Sequence, residues 1–191
     1  KRLFKDPAEA PDMVYLELEK IVRGLLEIDL KNTDSLASQV LFNDTLRANV
    51  LYGLDKAKAC WEIEKLNKRR VVDRFNAVEQ KELNGCGTLF FWGINDAGRR
   101  VPLDLDANGT GARKLCGVDD RGETFELPFR SREILEALKT RRLLPSLFTS
   151  FLVLSFARGV TCAGGYYQGE YLPEMQQALV NILRNTPGFD D

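Results

Sequence analysis

The apolar positions of this chain change period twice. In the first third, residues 12–83, Val14, Leu18, Ile21, Val22 and Leu25 recur at the spacing of one buried helix face, behind Asp12 as an N-cap. Asn32, Thr33 and Asp34 break that pattern with cap-type residues, and Leu36, Val40 and Leu41 begin a second helix. Asp44 starts a third, carrying Leu46, Val50 and Leu51 and ending near Gly53. Ala59, Cys60, Ile63 and Leu66 predict a fourth that runs toward Lys68, Arg69 and Arg70.

Over residues 88–127 the pattern turns strand-like. Leu89, Phe90, Phe91, Trp92 and Ile94 form an apolar, aromatic run that ends in the turn chemistry of Asn95 to Gly98. Val101, Leu103 and Leu105 alternate along the next segment. Strands over 114–118 and 123–127 follow, separated by the turn residues Asp119 and Gly122. No helix intervenes for a parallel crossover, so the arrangement expected is an antiparallel meander.

Residues 131–184 return to helix. Ser131 is placed to cap a helix carrying Ile134, Leu135 and Leu138. A nearly uncharged run over 143–157 predicts a buried helix, with Pro145 in its first turn and Gly159 as its stop. Pro173 opens a last helix with Met175, Leu179 and Ile182 on one face, ended by Asn185 to Gly188. Helix, strand, helix in that order predicts an α+β fold in one domain spanning 1–191. The chain starts at Lys1 rather than Met, which fits a fragment, a processed product or a chain with a further N-terminal segment.

Composition removes several function classes. The chain contains no histidine, the commonest general base and metal ligand. Ser-His-Asp and Cys-His catalysis within these residues, and His-bound zinc or iron, are therefore excluded. A net charge of −1 lacks the positive field that nonspecific nucleic-acid binding needs, so no nucleic-acid partner is expected. The 143–157 run contains Pro145, Ser146 and Thr149. It is shorter than the roughly 20 apolar residues of a membrane span, so no membrane partner is expected either. Cys60, Cys86, Cys116 and Cys162 are far apart in sequence, which suits free thiols and a cytoplasmic setting.

Three local patterns carry candidate chemistry of limited specificity. Asp104, Asp106, Asn108 and Gly109 begin like a calcium loop, but Leu115 stands where the bidentate glutamate belongs, so a solvated turn is the simpler reading. Gly85, Gly87, Gly109 and Gly111 match neither a dinucleotide fingerprint nor a P-loop. Lys65, Lys68, Arg69, Arg70 and Arg74 suit a salt-bridged helix face with Glu62, Glu64 and Asp73. No cofactor or metal is assigned.

The densest cluster follows Arg158. Arg158 has the planar fork that binds a carboxylate or phosphate, and Gly164 and Gly165 let backbone approach a ligand closely. Tyr166, Tyr167 and Gln168 would position a substrate, Glu170 would move protons and Cys162 would be a nucleophile. Arg99, Arg100 and Trp92 are placed to face the same pocket, while Arg141 and Arg142 suit an anion or the preceding helix C-terminus. The expectation is a small-molecule-binding domain, as an enzyme or part of one, for an anionic metabolite. The alternative is a noncatalytic protein–protein interaction or structural domain, in which the same segment is an inter-helix connection.

Overall fold

A computed structural model gives the fold and describes residues 16–55, 57, 68–70, 82–84, 88–106, 113–119, 121–162, 164 and 168–189. The fold is α+β, with helices toward both ends and antiparallel strands between them. Among the described residues no helix is long and apolar enough to cross a membrane.

The second and third helices follow the sequence pattern closely, whereas the first starts at Leu18 behind Glu17 rather than behind Asp12, which lies outside the described residues with Val14. Helix α1 spans Leu18–Asp29 and buries Val22, Leu26 and Asp29. Ser35 caps α2, Leu36–Phe42, by accepting from the Ser38 amide. Asn43 caps α3, Asp44–Leu54, by accepting from the amides of Thr45 and Leu46. The body of the predicted fourth helix lies outside the described residues, but its expected end does not. Lys68–Arg70 is strand β1, paired with β2, Glu82–Asn84. The basic cluster is thus not a helix face at these three residues, because strand pairing with a segment more than ten positions away overrides the local pattern.

The remaining strands form two three-stranded sheets. In the first, β3 (Phe91–Ile94) lies between β4 (Arg100–Pro102) and β8 (Leu143–Pro145). In the second, β6 (Lys114–Val118) lies between β5 (Asp104–Asp106) and β7 (Thr124–Pro128). The expected continuous strand over 99–105 is therefore broken at Leu103, and its two halves serve different sheets. The turns fall where expected: Gly98 and Gly122 take φ values of 73° and 84°, which a side chain would resist.

Residues 143–145 correct the sequence reading. They were expected in a helix but form β8, with Gly93 opposite Leu143 and Phe91 opposite Pro145. Proline biases the preceding residue toward extended backbone, so Pro145 marks the approach to a helix rather than its first turn. The helix α5, Leu147–Phe151, begins after Ser146, whose hydroxyl accepts from the Thr149 amide. Ser146 also donates to the Leu89 carbonyl, and Thr149 donates to the Phe90 carbonyl at 2.7 Å. The polar residues of an otherwise apolar run thereby bolt the helix to the start of β3. A wider π-helical turn, Leu152–Phe156, follows directly.

Helix α4, Ser131–Lys139, buries Ile134, Ala137 and Leu138. Ser131 does not cap it; its hydroxyl donates instead to the Leu30 carbonyl at 2.8 Å and ties α4 to the end of α1. The last helix, α6, spans Gln168–Arg184 and begins five residues before Pro173, which sits inside it. Ile182 of α6 packs onto Gly53 of α3, where an added Cβ would come within 2.7 Å of the Ile182 side chain. Buried Phe91, Leu26, Leu41, Leu138, Leu152 and Leu179 lie in one apolar cluster drawn from all of these helices and β3.

A charged clamp joins α3 to the strand region. Asp44 accepts from Arg113 and from Arg47, the latter at 2.7 Å, and Arg47 also donates to the Leu41 carbonyl. The hydrogen bond from Arg113 and then that from Arg47 hold the Asp44 carboxyl down at about 2. The unfolded carboxyl titrates near 3.9, so this clamp contributes fully above about pH 4 and is lost as the pH falls toward 2. Urea unfolding across that window is expected to lose stability more steeply in the native chain than in Asp44→Asn. Parallel pH profiles would disprove the clamp.

Candidate functional site

The structure turns Arg158 toward α1 and keeps Cys162, Gly164 and Gln168 together in one loop. Arg158 follows the π-helical turn and points back into the fold. Its Nη2 donates to Asp29 Oδ1 at 2.5 Å, and its Nη1 donates to Asp29 Oδ2 at 3.0 Å and to the Val153 carbonyl at 2.8 Å. The hydrogen bond to Asp29 raises the Arg158 pKa further above its already high ordinary value. The fork expected to hold an anionic ligand is engaged inside the chain by a carboxylate from α1.

Gln168 serves the loop itself. Its Nε2 donates to the Cys162 carbonyl at 3.1 Å, and its Oε1 lies where a Cβ on Gly164 would stand. Gly164 is thus required for a close approach, by a side chain of the same loop rather than by a ligand. Cys162 is partly buried against the core, with Sγ 3.7 Å from the Val160 carbonyl. Glu170 is exposed in the first turn of α6, where the helix dipole favours an acidic residue. Tyr171 is half-buried, its ring centroid 6.0 Å from that of Phe151. Tyr166, Tyr167 and Gly165 lie outside the described residues.

The other arginines go elsewhere. Arg100 pairs with Glu19 at 3.1 Å, and the Arg142 guanidinium lies 5.5 Å from the centre of the Phe125 ring. Arg99 stands 4.0 Å from Asp119. Burial pushes the Asp119 carboxyl up. The amides of Glu123 and Arg121, with Asn95 and Arg99, more than offset this and hold it below the ordinary range. Asp119 is therefore a turn-former that ties the β6–β7 turn to Asn95, with Asn95 Nδ2 at 2.6 Å.

Asp104 and Asp106 fall on one strand, opposite Cys116 and Lys114, and Asn108 lies outside the described residues. Desolvation raises the Asp104 pKa. Among the described residues no three carboxylates or thiols are grouped to hold a metal ion.

A different cleft brings three cations together. It lies where α1 meets β8 and the end of α4, has a volume of about 160 Å³, and is lined by Lys20, Arg23 and Arg141 over Leu138, Leu143 and Pro145. Glu17 and Glu19 also line it, and Glu19 pairs with Arg100 at 3.1 Å. Among the described residues, Lys20, Arg23 and Arg141 have no ion-pair partner.

Arg141 is also the one non-glycine residue at positive φ among those described, at 59°. It ends α4 in the left-handed conformation usually given to glycine, with its amide donating to the Leu138 carbonyl at 3.2 Å. An L-residue there costs roughly 1–2 kcal/mol.

The sequence held one legible sign of this cleft, the pair Arg141–Arg142 placed for an anion. Lys20 and Arg23 carried none, because they read as the polar side of an amphipathic helix. No protein family, curated protein or solved structure matches this chain.

Proposed function

We propose that this domain binds a small anionic molecule in the cleft between α1 and β8, with Arg141, Arg23 and Lys20 as its cationic contacts. The observation that carries the reading is the convergence on one cleft of three cations without an ion-pair partner among the described residues, against the two carboxylates of Glu17 and Glu19, of which Glu19 is taken up by Arg100. Arg141 offers a planar fork for a carboxylate or phosphate, Arg23 a second, and Lys20 a mobile point charge. The apolar floor of Leu138, Leu143 and Pro145 lowers the local dielectric and strengthens those contacts. A volume near 160 Å³ suits a phosphate or a small carboxylate rather than a whole nucleotide. The reading keeps the anionic ligand expected from the sequence and moves it away from Arg158. The thiol of Cys162 is not in a disulfide, which supports a reducing, cytoplasmic setting.

The strained backbone of Arg141 supplies a test with two readouts. Arg141→Gly relieves the left-handed strain and is expected to raise stability by about 0.5–1 kcal/mol. The same change is expected to weaken anion binding about tenfold, the loss of one charge-assisted contact. Calorimetric titration with phosphate, citrate and malonate measures the second effect, and thermal unfolding the first. Undiminished anion affinity in Arg141→Gly, or no anion binding by the native chain, would overturn the proposal.

A further inference from the structure

Strand β7 is the last of its sheet, with β6 on one side and no strand on the other among the described residues. The register fixes which of its backbone groups are already used. The Asp119 amide donates to the Glu123 carbonyl at 2.9 Å, and the Phe129 amide donates to the Arg113 carbonyl at 2.8 Å. Between those two ends every second pair is hydrogen-bonded, Gly117 with Phe125 and Leu115 with Leu127. Thr124 and Glu126 therefore turn their N–H and C=O groups away from β6. Among the described residues no backbone group meets them there. Pro128 closes this edge, since it has no N–H and its carbonyl accepts from the Arg130 amide at 3.0 Å.

A groove of about 270 Å³ runs along the same strand. Four successive residues, Glu123 to Glu126, line it, as a strand does when it presents its side rather than one face. Half-buried Ile94 and buried Val101 give it an apolar inner wall. Its rim is acidic. Asp96 and Glu123 have no ion-pair partner among the described residues. Glu126 reaches Lys114 at 3.0 Å, but both are half-exposed and such pairs hold weakly. Arg142 also lines the groove, its guanidinium over the Phe125 ring.

We propose that β7 takes up an extended, basic segment of a partner protein as a further strand, with cations on its solvent face and apolar residues on its inner face. The unpaired edge requires an occupant that brings its own backbone N–H and C=O groups, as strand addition does. Thr124 and Glu126 are exposed while Phe125 and Leu127 are buried, so the side chains of an added strand alternate in the same way. A cation beside Glu126 meets opposite charge across the pair, and a carboxylate there meets like charge. The same rule disfavours a second copy, because joining two β7 edges would set Glu123 and Glu126 of one chain beside those of the other. Charged edges also resist indiscriminate strand pairing, which leaves this one open to a segment that neutralises it.

The probe is a fluorescein-labelled peptide of alternating lysine and valine, about eight residues long like an ordinary strand, followed by fluorescence anisotropy. A glutamate–valine peptide runs alongside, with two N-methylated forms of the lysine–valine peptide, one methylated at every lysine and one at every valine. The lysine–valine peptide is expected to bind and the glutamate–valine peptide not to. Alternate amides of a strand point to opposite edges, so one methylated form is expected to lose binding and the other to keep it. Glu126→Lys is expected to weaken binding at least about tenfold through like charge. Thr124→Pro removes an N–H that β6 does not use, so a native melting temperature is expected with affinity at least about tenfold weaker. Absence of binding by the lysine–valine peptide overturns the proposal. So does retained binding by both methylated forms, which leaves charge attraction alone, or affinity unchanged in both variants. Sedimentation of the native chain as a dimer that Thr124→Pro disperses would assign the edge to a second copy and overturn it as well.

Discussion

Arg158→Ala is expected to destabilise the fold by about 2–3 kcal/mol, and to do so whether or not any ligand is present. Removing one partner of a buried ion pair costs roughly 3–5 kcal/mol, because the other charge is left desolvated. Asp29 is 9% exposed and would be that stranded charge, while the 30% exposure of Arg158 brings the expectation below the full range. The backbone of Asp29 adds to the consequence. Its carbonyl accepts from the hydroxyls of Ser35 at 2.8 Å and Ser38 at 2.9 Å, so one residue holds the α1–α2 turn and the end of the π-helical segment together.

In thermal unfolding the loss corresponds to roughly 5–10 °C for a chain of this size. Arg158→Lys retains the charge but not the fork and should fall between. Asp29→Asn combined with Arg158→Ala should cost less than the sum of the single changes, since the two groups form one interaction. Native stability in Arg158→Ala, with binding of an anion lost instead, would return Arg158 to the ligand-facing role its sequence context suggests.

Gly117→Ala is expected to be comparably damaging for an unrelated reason. Gly117 lies in β6 opposite Phe125 and faces the corner where β4 passes into β5. A Cβ there would run into the Pro102 carbonyl oxygen and stand 2.8 Å from Leu103 and 3.1 Å from Val101. The obstacle is backbone, which cannot rotate away as a side chain does, so the two sheets must separate. Overpacking of this kind costs typically 1–3 kcal/mol, and the upper part of that range applies here. Gly93→Ala provides the comparison. Its Cβ would meet only side-chain atoms, of Phe125 and Leu103, at 3.1–3.2 Å, so about 1 kcal/mol is expected. Urea unfolding of both variants tests the ranking, and an equal or reversed order would contradict it.

Both positions show the limit of local pattern. The residue type and neighbours of Arg158 suggest an anion-binding fork, but its carboxylate partner lies 129 positions away in α1. Asp29 carried no signal of its own beyond ending an amphipathic helix. Gly117 looked like an ordinary strand glycine, and nothing near it in sequence announces the β4–β5 corner. The cationic cleft has the same character. It joins residues 17–23, which read as the polar side of an amphipathic helix, to 138–145, where only Arg141 and Arg142 suggest an anion.

The sequence by itself determined the α+β order, the existence of the first three helices though not the start of α1 at Leu18, the turns at Gly98 and Gly122, the stop at Gly159 and the exclusion of histidine chemistry. Those features rest on periodicity, capping and backbone permissiveness, which act over a few residues. Tertiary structure alone decided that Lys68–Arg70 and Leu143–Pro145 are strands, that Asp104 and Val101 belong to different sheets, and that α6 begins at Gln168. It also decided that Arg158 faces Asp29 while Lys20, Arg23 and Arg141 share a cleft. Hydrogen bonds and charge pairs between distant segments leave no local period, so folding has to bring the segments together before such contacts exist.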